Sequence, residues 1–123
     1  MDVIERFKNR AQLAKEITVV LDSLSLVFNR MPTVELRHWE IEQQKGLSRD
    51  WCELTIRKFS EHFIRASDTS ENPIKLDKDL FGEFINDFSV SELIDLTLKY
   101  RQALKADEEI ARKNGHMSAK DLN

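Results

Sequence analysis

The sequence predicts an all-α fold, a compact bundle of about five helices. Only three glycines and two prolines interrupt its 123 residues, and both residue types are the usual helix breakers. In each long segment between them, apolar residues recur at steps of three and four, which is the pattern of a helix with one buried stripe. Capping signals at several predicted starts indicate the same fold class.

The first predicted helix spans residues 2–30. Its half from residue 17 onward is apolar nearly all round, so we expect it at the centre of the bundle. The β-branched run at residues 18–20 leaves a strand as the alternative. The drifting stripe also permits a homodimer. Eight residues form this stripe: Ile4, Phe7, Ala11, Ala14, Ile17, Leu21, Leu24 and Phe28.

Two helices are predicted in the middle of the chain. The second helix begins with Thr33 as its cap, carries few apolar residues and closes at Gly46, which suits a left-handed position. The third helix begins with Ser48 as its N-cap, and a polar loop over residues 67–73 follows it. Its expected buried face has three- and four-residue spacing: Cys52, Ile56, Phe59 and Phe63.

Two further helices are predicted toward the C-terminus. Asp77 is the expected N-cap of the fourth helix, and Ser89 and Glu92 form a capping box at the start of the fifth. The fifth helix is expected to stop at residues 114–115, Asn-Gly. The fourth helix has a dense apolar face that we expect to be buried: Leu80, Phe81, Phe84, Ile85 and Phe88.

Composition indicates a small globular protein, with 41% hydrophobic and 33% charged residues. We expect one domain over residues 1–115 and a flexible tail over residues 116–123. The formal net charge of −3 argues against direct nucleic-acid binding, because phosphate contacts need a concentrated basic surface. The single cysteine, Cys52, excludes an internal disulfide, and no segment has the pattern of a membrane span or signal peptide. A soluble cytoplasmic protein is therefore expected.

No group of residues predicts an enzyme, a metal site or a bound cofactor. His38 and Glu42 lie one helical turn apart, where a solvent-exposed pair is the expected arrangement. The scattered glycines form no phosphate-binding loop, and Cys52 lies on the predicted core face of its helix. The potential metal ligands lack any spacing typical of a metal site: Cys52, His38, His62 and His116.

Acidic charge is concentrated in one segment. Residues 68–95 carry eight acidic side chains against Lys75 and Lys78, a local charge of −6, and the rest of the chain sums to +3. This pattern fits a solvated face, and it also fits a negative surface that docks on a basic groove of a partner.

Aromatic and acidic side chains supply the candidate partner-binding residues. Trp39 lies on the sparsely apolar second helix and Trp51 opens the third, so each is a candidate surface anchor, with core packing as the alternative. The second and third helices also have the order of a DNA-binding helix-turn-helix, but Glu42 stands where that motif takes a small residue. The predicted contact set is Trp39, Trp51, Asp77, Asp79, Glu83 and Asp87.

Residues 17–85 contain a succession of short signals: an apolar segment at 17–28, Met31-Pro32-Thr33, Trp39, Gly46-Leu47-Ser48, an amphipathic segment at 55–63, and Asn72-Pro73-Ile74 before Leu80. This succession resembles the small helical domain of phage-encoded loaders and inhibitors of the bacterial replicative DNA helicase. The resemblance implies a non-enzymatic phage or mobile-element protein that binds the helicase. Those loaders continue into a flexible C-terminal region, where this chain has its predicted fifth helix.

Two functions are therefore expected, and both act by binding a protein. The first is a loader or inhibitor of the replicative helicase in DNA replication. The alternative is a small anti-defence inhibitor, of the anti-CRISPR kind, whose acidic surface blocks the nucleic-acid-binding groove of a host nuclease complex. A helix-turn-helix regulator is a lesser alternative.

Overall fold

The computed structural model describes residues 3–4 and 13–121, with side chains through residue 113. Within this part, the chain folds as a four-stranded antiparallel sheet and four helices. The fold is mixed α/β, so the all-α helical bundle predicted from the sequence is wrong.

Strands and helices alternate in blocks along the chain. The four strands lie in the sheet in chain order, each antiparallel to its neighbour, and two helices are inserted between the second and third strands. The elements are β1 (Glu16–Leu21), β2 (Leu24–Asn29), α1 (Thr33–Gln44), α2 (Arg49–His62), β3 (Phe63–Asp68), β4 (Pro73–Ile74), α3 (Lys78–Asn86) and α4 (Val90–Asp121).

A β-hairpin replaces the second half of the predicted first helix. Its strands, β1 and β2, are joined by Asp22-Ser23, where Asp22 has a φ of +54°, a left-handed conformation that Asp tolerates better than most residues. The predicted stripe positions Phe7 and Ala11 lie outside the described residues. The helical stripe that permitted a homodimer is therefore absent from the described part. Side chains of β1 alternate between exposed and buried, and the buried ones are Ile17, Val19 and Leu21.

The core lies between one face of the sheet and the helices. Leu26 pairs with Val19 on one side and Ala66 on the other, so the buried side chains of three strands share this face. On it, α4 packs against β1, α2 against β2 and α3 against β3. Phe28 of β2 is the centre of this core. Its ring makes edge-to-face contacts at 5.1–6.1 Å with four aromatic rings, those of Phe59, Phe63, Phe81 and Tyr100.

The helix ends agree in part with the predictions. Ser48 caps α2 as predicted, accepting from the Trp51 amide at 3.3 Å, and Gly46 has the predicted positive φ, +116°. Thr33 does not cap α1, because Pro32 occupies the cap position without a side-chain bond. The last helix, α4, continues to Asp121 instead of ending at residues 114–115. The buried face of α2 is rotated from the predicted one and consists of Trp51, Leu54, Thr55 and Phe59.

Candidate functional site

The two tryptophans are not surface anchors. Trp39 and Trp51 are both fully buried, so both pack in the core, which was the alternative to the predicted surface anchors. Trp39 packs edge-to-face on Phe59 at 5.3 Å, and its indole nitrogen donates to the Thr55 hydroxyl at 2.8 Å. Neither tryptophan offers surface to a partner.

The four predicted acidic contact residues all lie on or beside α3 and are exposed: Asp77, Asp79, Glu83 and Asp87. Asp77 is the N-cap of this helix, as predicted, because its carboxylate accepts a hydrogen bond from the Leu80 amide at 2.9 Å. Its negative charge also lies beside the positive end of the helix dipole. The other three acidic residues do not cap the helix, and they remain candidate contact residues.

Apolar and acidic side chains form two adjacent rows on the exposed side of α3. Residues four apart lie almost above one another on a helix of 3.6 residues per turn, so each row advances along the axis. The apolar row is Leu80 and Phe84 on the helix with Phe88 just after its end, and the acidic row, one residue earlier at each step, is Asp79 and Glu83 on the helix with Asp87 at its C-cap. These six residues are called the α3 surface below.

Leu80 and Phe84 of the apolar row are exposed and Phe88 is half-buried, although the sequence predicted all three for the core. Leu80 is 48% exposed and Phe84 is 38% exposed, whereas Phe81 and Ile85 are fully buried and fill the inner side of the helix. The four apolar positions on this nine-residue helix span too wide an arc to be buried together. The Phe84 ring contacts Phe81 at 6.2 Å and Phe88 at 5.0 Å, which fixes its position at the surface.

The acidic row has no ion-pair partner among the described residues. Some other exposed carboxylates of this part of the chain are paired, as Glu16 is with Arg65 at 2.8 Å. The base within α3, Lys78, donates instead to the backbone carbonyl of Glu61 at 3.0 Å. The α3 surface therefore presents uncompensated negative charge beside apolar side chains.

A second polar cluster joins α1 to α2. The Glu35 carboxylate lies 3.1 Å from the Lys58 ammonium and 2.7 Å from Nε2 of His62. Burial raises the pKa of Glu35, but the hydrogen bonds from Lys58 and His62, together with their charges, outweigh it, so this pKa lies below its ordinary value. Glu35, Glu61 and His62 are close enough to share a metal ion. Lys58 already neutralises Glu35, however, so we assign the cluster to structure. Because 27 residues separate Glu35 from His62, sequence spacing could not show it.

Two shallow grooves flank α1. The groove toward α4 has a volume of about 440 Å³, and within it Arg101 bonds to Glu40 at 3.2 Å. The other, of about 280 Å³, contains the His38 and Glu42 side chains, but Glu42 pairs with Lys45 at 2.9 Å. In both grooves, neighbouring groups compensate these charges, unlike those of the acidic row.

No protein-family model matches this chain, and no curated protein or solved structure shows significant similarity to it. None of the described helices contains a stretch long and apolar enough to cross a lipid bilayer. Function is therefore inferred from the fold and the α3 surface.

Proposed function

We propose that this protein acts by binding another protein, without catalysis, and that the α3 surface is its contact site. The observation that supports the proposal is a half-exposed apolar row beside acids that lack ion-pair partners among the described residues. Contiguous exposed apolar side chains mark interaction sites. Uncompensated charge beside them orients the partner and selects against partners of the same sign.

The apolar row supplies affinity. Burial of a fully exposed Leu or Phe side chain contributes about 1.5–3 kcal/mol. In the folded chain Leu80 is 48% exposed and Phe84 is 38% exposed. Covering both side chains with a partner therefore contributes about 2 kcal/mol. That is the size of one interface hot spot. The contact must therefore extend beyond these two side chains.

The two partners expected from the sequence, a replicative helicase and a host nuclease complex, remain proposals. The resemblance to helicase loaders implied an apolar helix over residues 17–28, where the chain forms a hairpin, so the α3 surface and not the resemblance supports binding. The acidic row favours the nuclease complex, because a nucleic-acid groove is basic. Both partners are cytoplasmic, and we place this protein there. A helix-turn-helix function is not proposed, since Arg49 of α2 pairs with Glu53 at 2.8 Å.

The test compares two double variants in affinity capture from bacterial lysate. Leu80→Ser/Phe84→Ser removes the apolar row. Leu98→Ser/Val34→Ser is the matched control, because those side chains are 52% and 81% exposed and lie on α4 and α1. Circular dichroism and thermal unfolding establish that both variants fold.

We expect the α3 variant to lose the captured protein and the control to retain it, at both low and physiological salt. Mass spectrometry then separates a helicase from a nuclease complex. Retention of the same protein by the α3 variant, with both variants folded, would show that the contact site lies elsewhere.

A further inference from the structure

We infer that the α3 surface is built for a basic amphipathic helix of a partner protein, an inference that rests on the proposed function. The partner helix would lie along α3 with apolar side chains over Leu80 and Phe84 and with lysines or arginines facing Glu83 and its neighbours. Charge, the geometry of the rows and their length each support this occupant.

The negative charge of the acidic row favours a partner with a positively charged contact surface. Asp79, Glu83 and Asp87 are exposed, and none of them joins an ion pair among the described residues, where carboxylates such as Glu35 and Glu16 do. A partner with lysine or arginine in register would compensate three charges at once. An acidic partner would add repulsion beside the apolar row.

The arrangement in two rows favours a helix over a strand. A strand directs alternate side chains to opposite faces, so each face presents a single row. A helix presents neighbouring rows on the same side, so one partner helix can place an apolar row and a basic row against the two rows of α3. Its apolar residues should recur at three- or four-residue steps, each next to a basic residue.

The length of α3 sets the length of the contact. Its nine residues span about 14 Å at 1.5 Å per residue. A partner segment of about two and a half turns, or about nine residues, matches this length, and a peptide of about 12 residues covers it with a margin at each end.

The test uses a displayed library of random peptides of about 12 residues, selected on the full chain. We expect enriched sequences that combine Leu, Phe or Ile at helical spacing with adjacent Lys or Arg. A synthetic peptide of the enriched sequence should bind about tenfold more weakly to Glu83→Lys. The control is Glu109→Lys, another exposed helical Glu without an ion pair among the described residues, and it should bind like the unaltered chain. Selection on Glu83→Lys should enrich acidic peptides.

Several results would overturn the inference. Enriched sequences without basic residues, no enrichment at all, or equal weakening by both variants would each contradict a basic helical partner. A dimer in sedimentation that Leu80→Ser/Phe84→Ser dissociates would show that a second copy is the occupant. If lysate capture still depends on Leu80 and Phe84 while the peptides are not basic, the proposed function stands and this inference fails.

Discussion

Thr55 joins the two tryptophans through its hydroxyl group. The hydroxyl accepts from Nε1 of Trp39 at 2.8 Å and donates to the Trp51 carbonyl at 2.7 Å, and all three residues are fully buried. The guanidinium of Arg101 lies over the Trp39 ring, 5.2 Å from its centroid. A single hydroxyl thus fixes the indole that holds α1 on α2.

At this scale we expect Thr55→Val to lower the free energy of unfolding by about 1–3 kcal/mol, because it leaves the buried Trp39 indole nitrogen without an acceptor. The matched control is Thr97→Val. Thr97 is equally buried, but its hydroxyl only donates to the Leu93 carbonyl, at 2.8 Å, so its loss should cost less than about 1 kcal/mol. Urea unfolding followed by tryptophan fluorescence measures both. Equal losses would show that the Trp39 bond contributes nothing.

At the scale of elements, the hairpin shows why the fold class could not be predicted. Ile17, Leu21, Leu24 and Phe28 are spaced by four, three and four residues, which fits a helical stripe. The same spacing also fits two strands. A step of four residues returns to the same face of a strand, and the step of three residues, from Leu21 to Leu24, crosses the two-residue turn. The β-branched run did indicate a strand as the alternative, but only pairing with β3 makes it the stable choice.

Several local signals were predicted correctly, because they depend on neighbours in sequence, although Thr33 does not cap α1 and α4 does not end at residues 114–115. The capping box at the start of α4 is confirmed by reciprocal bonds between Ser89 and Glu92 at 3.0 and 3.2 Å. The acidic row was predicted as a contact surface and is exposed. The exposure of Leu80 and Phe84 could not be predicted, because the side of α3 that turns inward is set by its packing on α2 and β3.

For α3 as an element, we expect Asp77→Ala to destabilise the protein by about 0.5–2 kcal/mol through loss of the N-cap. Asp77→Asn keeps an acceptor for the Leu80 amide and should cost less than half as much. Thermal unfolding of the two variants separates the contribution of the capping hydrogen bond from that of the negative charge. A loss for Asp77→Asn as large as that for Asp77→Ala would assign the effect to charge instead.

At the scale of the whole molecule, polar contacts at the rim of the core fix α4 on the sheet. The Tyr100 hydroxyl accepts from the Met31 amide at 2.9 Å and donates to the Asn29 carbonyl at 3.0 Å, which ties α4 to the end of β2. Arg30 pairs with Asp107 beside it. These contacts keep the layers together while the α3 surface stays free of ion pairs in the described structure.

Glu35 makes global stability depend on pH. Its pKa is lower in the folded chain than its ordinary value, about 4.3 in the unfolded chain, so its stabilisation is fully present above that value. The stabilisation is lost as pH falls through the lower folded pKa. We therefore expect Glu35→Gln to be less stable than the unaltered chain at pH 7, with the difference shrinking below about pH 4.

Urea unfolding across this pH range measures the difference. The control is Glu109→Gln, which alters an exposed carboxylate without an ion pair among the described residues and should leave the pH profile unchanged. A Glu35→Gln profile parallel to that of the unaltered chain at every pH would rule out this linkage.

The most direct test of the α3 surface as a protein-binding site is hydrogen–deuterium exchange of the full chain with and without its captured partner. We expect exchange to slow across residues 78–88, which include α3, since a docked partner excludes water from this helix. The amides around the α1 grooves should exchange as before. Protection confined to other elements, with α3 unchanged, would contradict the assignment of the contact site to the α3 surface.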